Sequence, residues 1–237
     1  MVHQPRKFAD PKFEELWQKL EVPSRIPDSA KEYVFAHYSP GTFFRFNIIN
    51  LFLYRWHYNE TTTLHPKYVF TTKHPSGGLN GVILFAQPSM NNIYKQYSDD
   101  PLGIIELRRM ACITDTTKNL ESRFISQSLR WLAKNSDEKI VVTYADAMYE
   151  HVGGIYRASN FIFDCLTGNP PIIELSDGRP VHDRSSRTRT KNGQLSHRAA
   201  ELVRMLETGE ARHIISPSKS RYHYHLDTNF ACKTCLV

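Results

Sequence analysis

Residues 103–135, GIIELRRMACITDTTKNLESRFISQSLRWLAKN, decide the fold of this chain. Residues 103–113 read as a strand with polar residues at alternate positions in its middle, ended by the polar stretch TDTTKNLES. In SRFISQSLRWLAKN, Phe124, Ile125, Leu129 and Leu132, with Trp131, recur at the spacing of one helical face. IVVTYA, from Ile140, follows as a continuous apolar strand of the kind buried on both sides. Strand, helix, strand in this order makes the two strands neighbours and parallel.

Working outward, YVFTT and GVILFAQPS flank KHPSGGLN, whose Pro, two Gly and Asn are turn chemistry, so a hairpin is expected from Tyr68 to Gln87. HVGGIYRASN offers a second helix and FIFDCL a further strand. The fold class is therefore α/β, a mixed sheet flanked by helices. Residues 1–29, with prolines bracketing the amphipathic FEELWQKL, form an N-terminal cap; 30–175 form the central domain. Residues 176–237 form a basic C-terminal extension, with a helix at HRAAELVRMLETG and a strand-like alternation at SPSKSRYHYHLD. Between Arg179 and Arg198 six cations face one acid, Asp183, a pattern that reads as a solvated face or as a grip on phosphates.

The formal charge of +6 and pI of about 9.1 favour a polyanionic partner such as nucleic acid. No run of about 18 apolar residues spans a bilayer and no secretory plan opens the chain, so a cytoplasmic protein without a membrane partner is expected. Four cysteines are too few and too scattered to staple the domain. His223, His225, Cys232 and Cys235 are ligand types for zinc, but a single CxxC is weak grounds for a site.

Two places invite chemistry. The loop after the first strand brings Lys118, Asn119, Ser122 and Arg123 to the start of a helix, where amides and the helix dipole hold an anion such as pyrophosphate; the plainer reading is that Asn119 or Ser122 caps the helix. At the carboxyl end of the next strand, YADAMYEHVGGIYRASNF (144–161) gathers Asp146, His151 and Tyr156 as acid–base candidates, with Gly153 and Gly154 allowing close backbone approach to a ligand. His with carboxylate also suits Fe(II), so iron is a second cofactor candidate.

These blocks resemble the core of the GNAT superfamily of N-acetyltransferases. More closely, ELRRMACITDTTKNLESRFISQSLRWL and VVTYADAMYEHVGGIYRASNFIF resemble the phage Mom family of DNA-modifying proteins, with weaker likeness at HYS (37–39) and KSRYHYHL (219–226). The resemblance implies a GNAT-like fold and an acyl-CoA or acetyl-CoA donor. The activity implied is addition of a small, carbamoylmethyl-type group to the N6 amine of adenine in double-stranded DNA, protecting phage DNA from restriction. It puts Lys118, Asn119, Ser122 and Arg123 at the cofactor pyrophosphate and Arg108 and Arg109 on the strand beside it. His37, Tyr38, Asp146, His151 and Tyr156 then form the reactive centre. The DNA-contacting cations are Arg184, Arg187, Arg189, Lys191, Lys219 and Arg221. The superfamily's Gly-rich loop is replaced by TTKNLES, and Asn160 stands where Gly is common. Adenine modification demands base flipping, for which Phe43, Phe44, Tyr54, Trp56, Tyr222 and Tyr224 are stacking candidates. The competing readings are an acyltransferase acting on a protein or small-molecule amine, and a DNA-binding module on an inactive scaffold.

Overall fold

The computed structural model describes residues 6–7, 9–21, 27–38, 43–57, 65–90, 92–98, 103–113 and 117–228. The chain forms two compact units. One comprises Met1–Ala145, Gly153–Cys165 and Arg221–Val237; the other comprises Asp146–Val152 and Leu166–Ser220. The strands are β1 (Val34–Tyr38), β2 (Tyr68–Lys73), β3 (Leu79–Ala86), β4 (Ile104–Cys112), β5 (Ile140–Asp146), β6 (Ile162–Leu166), β7 (Pro171–Leu175), β8 (Pro180–His182), β9 (Ala211–Ile215) and β10 (Lys219–His225). The helices are α1 (Pro11–Glu21), α2 (Phe43–Trp56), α3 (Leu120–Asn135), α4 (Gly154–Ala158) and α5 (His197–Glu207).

The first unit is built on a seven-stranded mixed sheet, ordered β1-β2-β3-β4-β5-β10-β6. Strands β1 to β4 pair antiparallel in sequence, and β4 pairs with β5 in parallel. This is the mixed α/β sheet that the strand–helix–strand pattern implies. Side chains alternate across the sheet, so each strand feeds two cores. On one face Phe70, Ile83, Ile105 and Val141 pack under Phe124, Ile125, Leu129 and Leu132 of α3. On the other, Val69, Val82 and Leu84 meet Ile49, Phe52 and Leu53 of α2 and Trp17 of α1. The near-uniformly apolar FFRFNIINLFLYRW of α2 has no helical stripe to read. A third cluster, Ile93, Tyr97, Ile104, Ile140 and Val142, closes the sheet beneath the start of the β4–β5 pair.

Strand β10 carries the expected YHYH alternation and lies between β5 and β6. The helix expected across HVGGIYRASN is only the five residues of α4. It ends at Ala158 with Ser159 as C-cap, and the next residue, Asn160, has φ +62°, the left-handed conformation that glycine adopts freely and asparagine tolerates.

In the second unit β7 is the central strand of an antiparallel sheet ordered β8-β7-β9. Ile172, Ile173, Ala199, Leu202 and Ala211 are its buried apolar residues. Ser196 N-caps α5, its Oγ accepting from the Ala199 amide at 3.2 Å.

Candidate active site

The site begins where β4 and β5 part. Their parallel pairing runs from Ile104↔Ile140 to Glu106↔Val142. Just past it, the Thr143 hydroxyl donates to the Leu107 carbonyl at 3.3 Å. From there β4 runs on to Cys112 beside β3, and β5 runs on to Asp146. The β3–β4 register also shifts here, Leu84 facing Arg109 and Phe85 facing Leu107. Arg108 is thereby the extra residue of a β-bulge, the device that bends a strand and re-aims its side chains.

Glu106 stands at this apex, 6% exposed. Its Oε2 accepts from the Ser89 amide at 2.7 Å and the Ser89 hydroxyl at 3.1 Å. Burial raises its pKa, against the opposing pull of the Ser89 bonds and of Arg108 and Arg109. Arg108 Nε lies 3.4 Å from Glu106 Oε1, while its Nη1 donates to the Gln87 carbonyl at 3.1 Å. Two phenols lie within electrostatic range. Burial, then the Glu106 charge, lifts Tyr144 to about 12. Burial likewise raises Tyr156, whose hydroxyl is hydrogen-bonded to Thr143 and whose ring sits 5.6 Å from Phe161 and 5.7 Å from Tyr222. A carboxyl made more basic by burial and a phenol that keeps its proton are suited to the two roles of a general base and a general acid. Sequence reasoning missed Glu106 and Tyr144. The signal was an acid in the middle of a strand whose neighbours are apolar.

The same unit has an open pocket of ≈ 490 Å³ at the start of α3. It is lined by Lys118, Asn119, Ser122 and Arg123, as the sequence leads one to expect, and also by Lys31 and Arg130, with Asp28 as its acid. The capping alternative fails in both forms. Asn119 occupies the N-cap position at φ +66° with no side-chain cap bond, and the Ser122 hydroxyl donates to the Asn119 carbonyl at 3.2 Å. The amides of the first turn are thus not satisfied by a capping side chain. Arg123 Nε is buried and without a hydrogen-bond partner among the described residues. An anion with several oxygens fits this donor set: the helix amides, four cations and unspent guanidinium N–H.

Of the remaining expected site residues, Asp146 and His151 stay together, the His151 amide donating to the Asp146 carbonyl at 3.2 Å, while the others lie apart from them. His37 stacks on Trp131 at 3.9 Å with its pKa lowered by burial. It sits on β1, four strand positions from β5, roughly 19 Å away at sheet spacing. Tyr38 points to the opposite face, against the α2 cluster. Arg109 lies on β4 with Nη1 donating to the Arg108 carbonyl. Gly153 does approach something closely, but it is Tyr222: a Cβ there would fall 2.2 Å from the Tyr222 hydroxyl. Gly154 has open space around it.

Asp146, His151 and Lys219 belong to the second unit. Asp146 is buried, accepts from the Met148 amide at 3.2 Å and pairs with Lys219 Nζ at 2.6 Å. Partial enclosure lowers the His151 pKa, opposed by Asp146. Arg184, Arg187, Arg189 and Lys191 are exposed, Arg187 pairing with Asp183. Arg221 is 8% exposed with its Nε 3.2 Å from Asp164 Oδ2, so its charge serves the interior of the first unit. Asp164 also binds Tyr97 and, at 2.5 Å, His223 Nδ1. Tyr222 is core, and the side chains of Phe43 and Phe44 and all of Ser39, Cys232 and Cys235 lie outside the described residues. Among the described residues no group of three or more His, Cys, Asp or Glu is disposed to hold a metal ion, and no helix is long and apolar enough to cross a membrane.

Residues 47–235 match the Mom protein family, about four-fifths of the sequence. The chain belongs to the Mom protein family. The Mom match takes in the β4–β5 apex, the α3 side of the pocket and the second unit; Asp28 to Lys31 of the pocket lining and β1, with His37 and Tyr38, lie before it. No curated protein matches the chain. Among solved structures, the ribosomal-protein-S18-alanine N-acetyltransferase of Escherichia coli is similar at TM-score 0.47 and 9% identity, over 81% of this chain and 94% of that one. A GNAT family acetyltransferase from Elizabethkingia anophelis with acetyl-CoA bound gives 0.42 and 11%, over 82% and 98%. A Bacillus subtilis acetyltransferase in complex with CoA gives 0.42 and 9%, over 81% and 98%. Likeness at this level carries no argument about chemistry.

Proposed function

We propose that this Mom-family protein is a transferase that moves an acyl-derived group from a CoA-type thioester to the N6 amine of adenine in DNA. The observation that carries the reading is that buried Glu106 at the β4–β5 parting, Tyr156 within its electrostatic reach, and the cationic α3 pocket all belong to one unit. Lys118, Arg123, Arg130 and Lys31, with the first amides of α3, are the groups that would hold the donor's phosphates. The donor supplies an activated acyl carbon and a thiolate leaving group.

The chain's own residues do the rest. The N6 amine is a poor nucleophile because its lone pair is delocalised into the ring, so it must lose a proton as its bond to carbon forms. Glu106, ionised, takes that proton; Tyr156 gives one to the departing sulfur as the carbon–sulfur bond breaks. The products are the N6-substituted adenine and a free thiol; Glu106 is left protonated and Tyr156 ionised, and proton transfer from one to the other through water restores the couple. Asp146 serves less well as base, because Lys219 holds its carboxylate as an ion pair. Support for DNA as acceptor comes from the second unit, where the exposed cations of residues 179–198 face a single acid, buried Asp183.

The test is mass spectrometry of nucleosides from the DNA of bacteria expressing the protein. A heavier deoxyadenosine, absent from the vector control, is expected. CoA binding by the purified protein with unmodified DNA would instead favour a protein or small-molecule amine as acceptor.

A further inference from the structure

The second unit contains a feature that the transfer chemistry leaves unused. Between Asp183 and α5 the chain turns back on itself as a small hairpin, with Arg189 and Leu195 forming an antiparallel bridge. The Ser196 amide donates to the Thr188 carbonyl at 2.8 Å, Thr190 to Gln194 at 2.7 Å and Gly193 to Thr190 at 3.0 Å. Arg189 Nη1 closes the ring on the Gly193 carbonyl at 2.7 Å. Gly193, at φ +78°, supplies the left-handed turn that Lys191-Asn192-Gly193 requires.

Such bonding fixes the backbone, yet residues 187–194 are all exposed. None of them is acidic or apolar. A segment that is ordered but buries nothing of its own is preorganised for an outside surface. That surface is anionic. Arg184 and Arg198 flank the hairpin, and the stretch's acid, Asp183, is buried and paired with Arg187. A turn of two adjacent chain limbs is as narrow as the two-stranded ribbon that the major groove of B-DNA admits, and the N6 amine of adenine is displayed on that same groove edge. The tip carries Lys191, Asn192 and Gln194, side chains whose donors and acceptors match guanine O6/N7 and adenine N6/N7.

We infer that the hairpin at residues 188–196 enters the major groove of duplex DNA and reads base sequence there through Lys191, Asn192 and Gln194. Arg184, Arg189 and Arg198 hold the phosphates on either side. The inference rests on the reading of DNA as the acceptor, and it assigns sequence context to a part of the molecule separate from the Glu106–Tyr156 couple.

The experiment is selection of bound sequences from a randomised duplex library by the purified full-length protein, against the triple variant Lys191→Ala, Asn192→Ala, Gln194→Ala. Thermal unfolding of the variant at the wild-type temperature shows that it is folded. The wild type is expected to enrich a short motif, and the variant to lose roughly tenfold or more of the preference at one or more positions while still binding duplex. Arg184→Ala with Arg198→Ala should instead weaken all sequences alike and flatten the salt dependence by about two phosphate contacts. A wild-type motif retained by the triple variant overturns the hairpin's role and leaves DNA as the acceptor standing. A wild type that binds no duplex overturns the DNA reading itself, and the inference with it.

Discussion

Ser89 donates both its amide and its hydroxyl to Oε2 of Glu106, at 2.7 and 3.1 Å, at the rung where β4 and β5 separate. Those bonds oppose the burial that raises the Glu106 pKa. As a base Glu106 works only when ionised, so the transfer rate should climb with pH through this raised value. Ser89→Ala removes the hydroxyl bond and should move that limb to higher pH; Glu106→Gln should abolish it and lower the rate by about 100-fold or more. A pH series of initial rates measures both. The same shift has a sign for stability: a carboxyl that is harder to ionise when folded stabilises most below its unfolded pKa and loses that contribution as pH rises. Glu106→Gln should therefore unfold with a flatter pH dependence above about pH 4.

In the proposed reading Arg123 and Lys118 hold the donor's phosphates. Arg123→Ala removes a cation with an unspent buried Nε, and Lys118→Ala removes a second charge from the same pocket. Each should weaken CoA binding by roughly tenfold, in line with about 1.5 kcal/mol for a charge-assisted bond. Asn119→Gly should keep affinity, because φ +66° suits glycine, whereas Asn119→Val should lose both affinity and stability. Titration calorimetry with CoA separates these cases.

Gly153 and Gly154 are neighbours with opposite constraints. Gly153→Ala drives a Cβ into the Tyr222 ring and hydroxyl from a backbone at φ +73°, and should cost several kcal/mol or prevent folding. Gly154→Ala meets nothing within 4 Å and should be neutral or mildly stabilising as a helical residue. Chemical denaturation of the two variants checks the contrast.

Asp164 ties β6 to β10 and to Tyr97. Burial alone would raise its pKa, but the bonds from His223 and Tyr97 and the charge of Arg221 outweigh it and hold the carboxyl below the ordinary range. Its stabilising contribution is then present above the unfolded pKa, near 4, and is lost as pH falls through the lower folded value. Asp164→Asn should cost roughly 3–5 kcal/mol by leaving Arg221 buried without its partner, and should flatten the acid limb. Melting temperatures across an acid pH series report both.

Much of the first unit was legible because its signals are local. The apolar spacing of Phe124, Ile125, Leu129 and Leu132 gives α3, and the polar loop before it gives the pocket. What was not legible depends on distant pairing. The alternation of KSRYHYH reads as a strand, but its insertion between β5 and β6 depends on residues more than fifty positions upstream in β6 and more than seventy in β5. Glu106 reads only as one of the alternating polar residues of its strand, because the Ser89 donors that hold its carboxylate come from 17 positions upstream. Arg221 and Lys219 read as members of a basic face, whereas Asp164 and Asp146 claim them. His37 lay in a stretch of weak likeness, and the sheet order places it four strands from β5.

The most direct measurement compares Glu106→Gln with wild type for nucleoside mass in host DNA, with CoA binding confirmed for both purified proteins. The account predicts a heavier deoxyadenosine from the wild type and none above background from a Glu106→Gln protein that still binds CoA. A Glu106→Gln protein that modifies deoxyadenosine at the wild-type level would contradict it, and would return the base to Asp146 or His151.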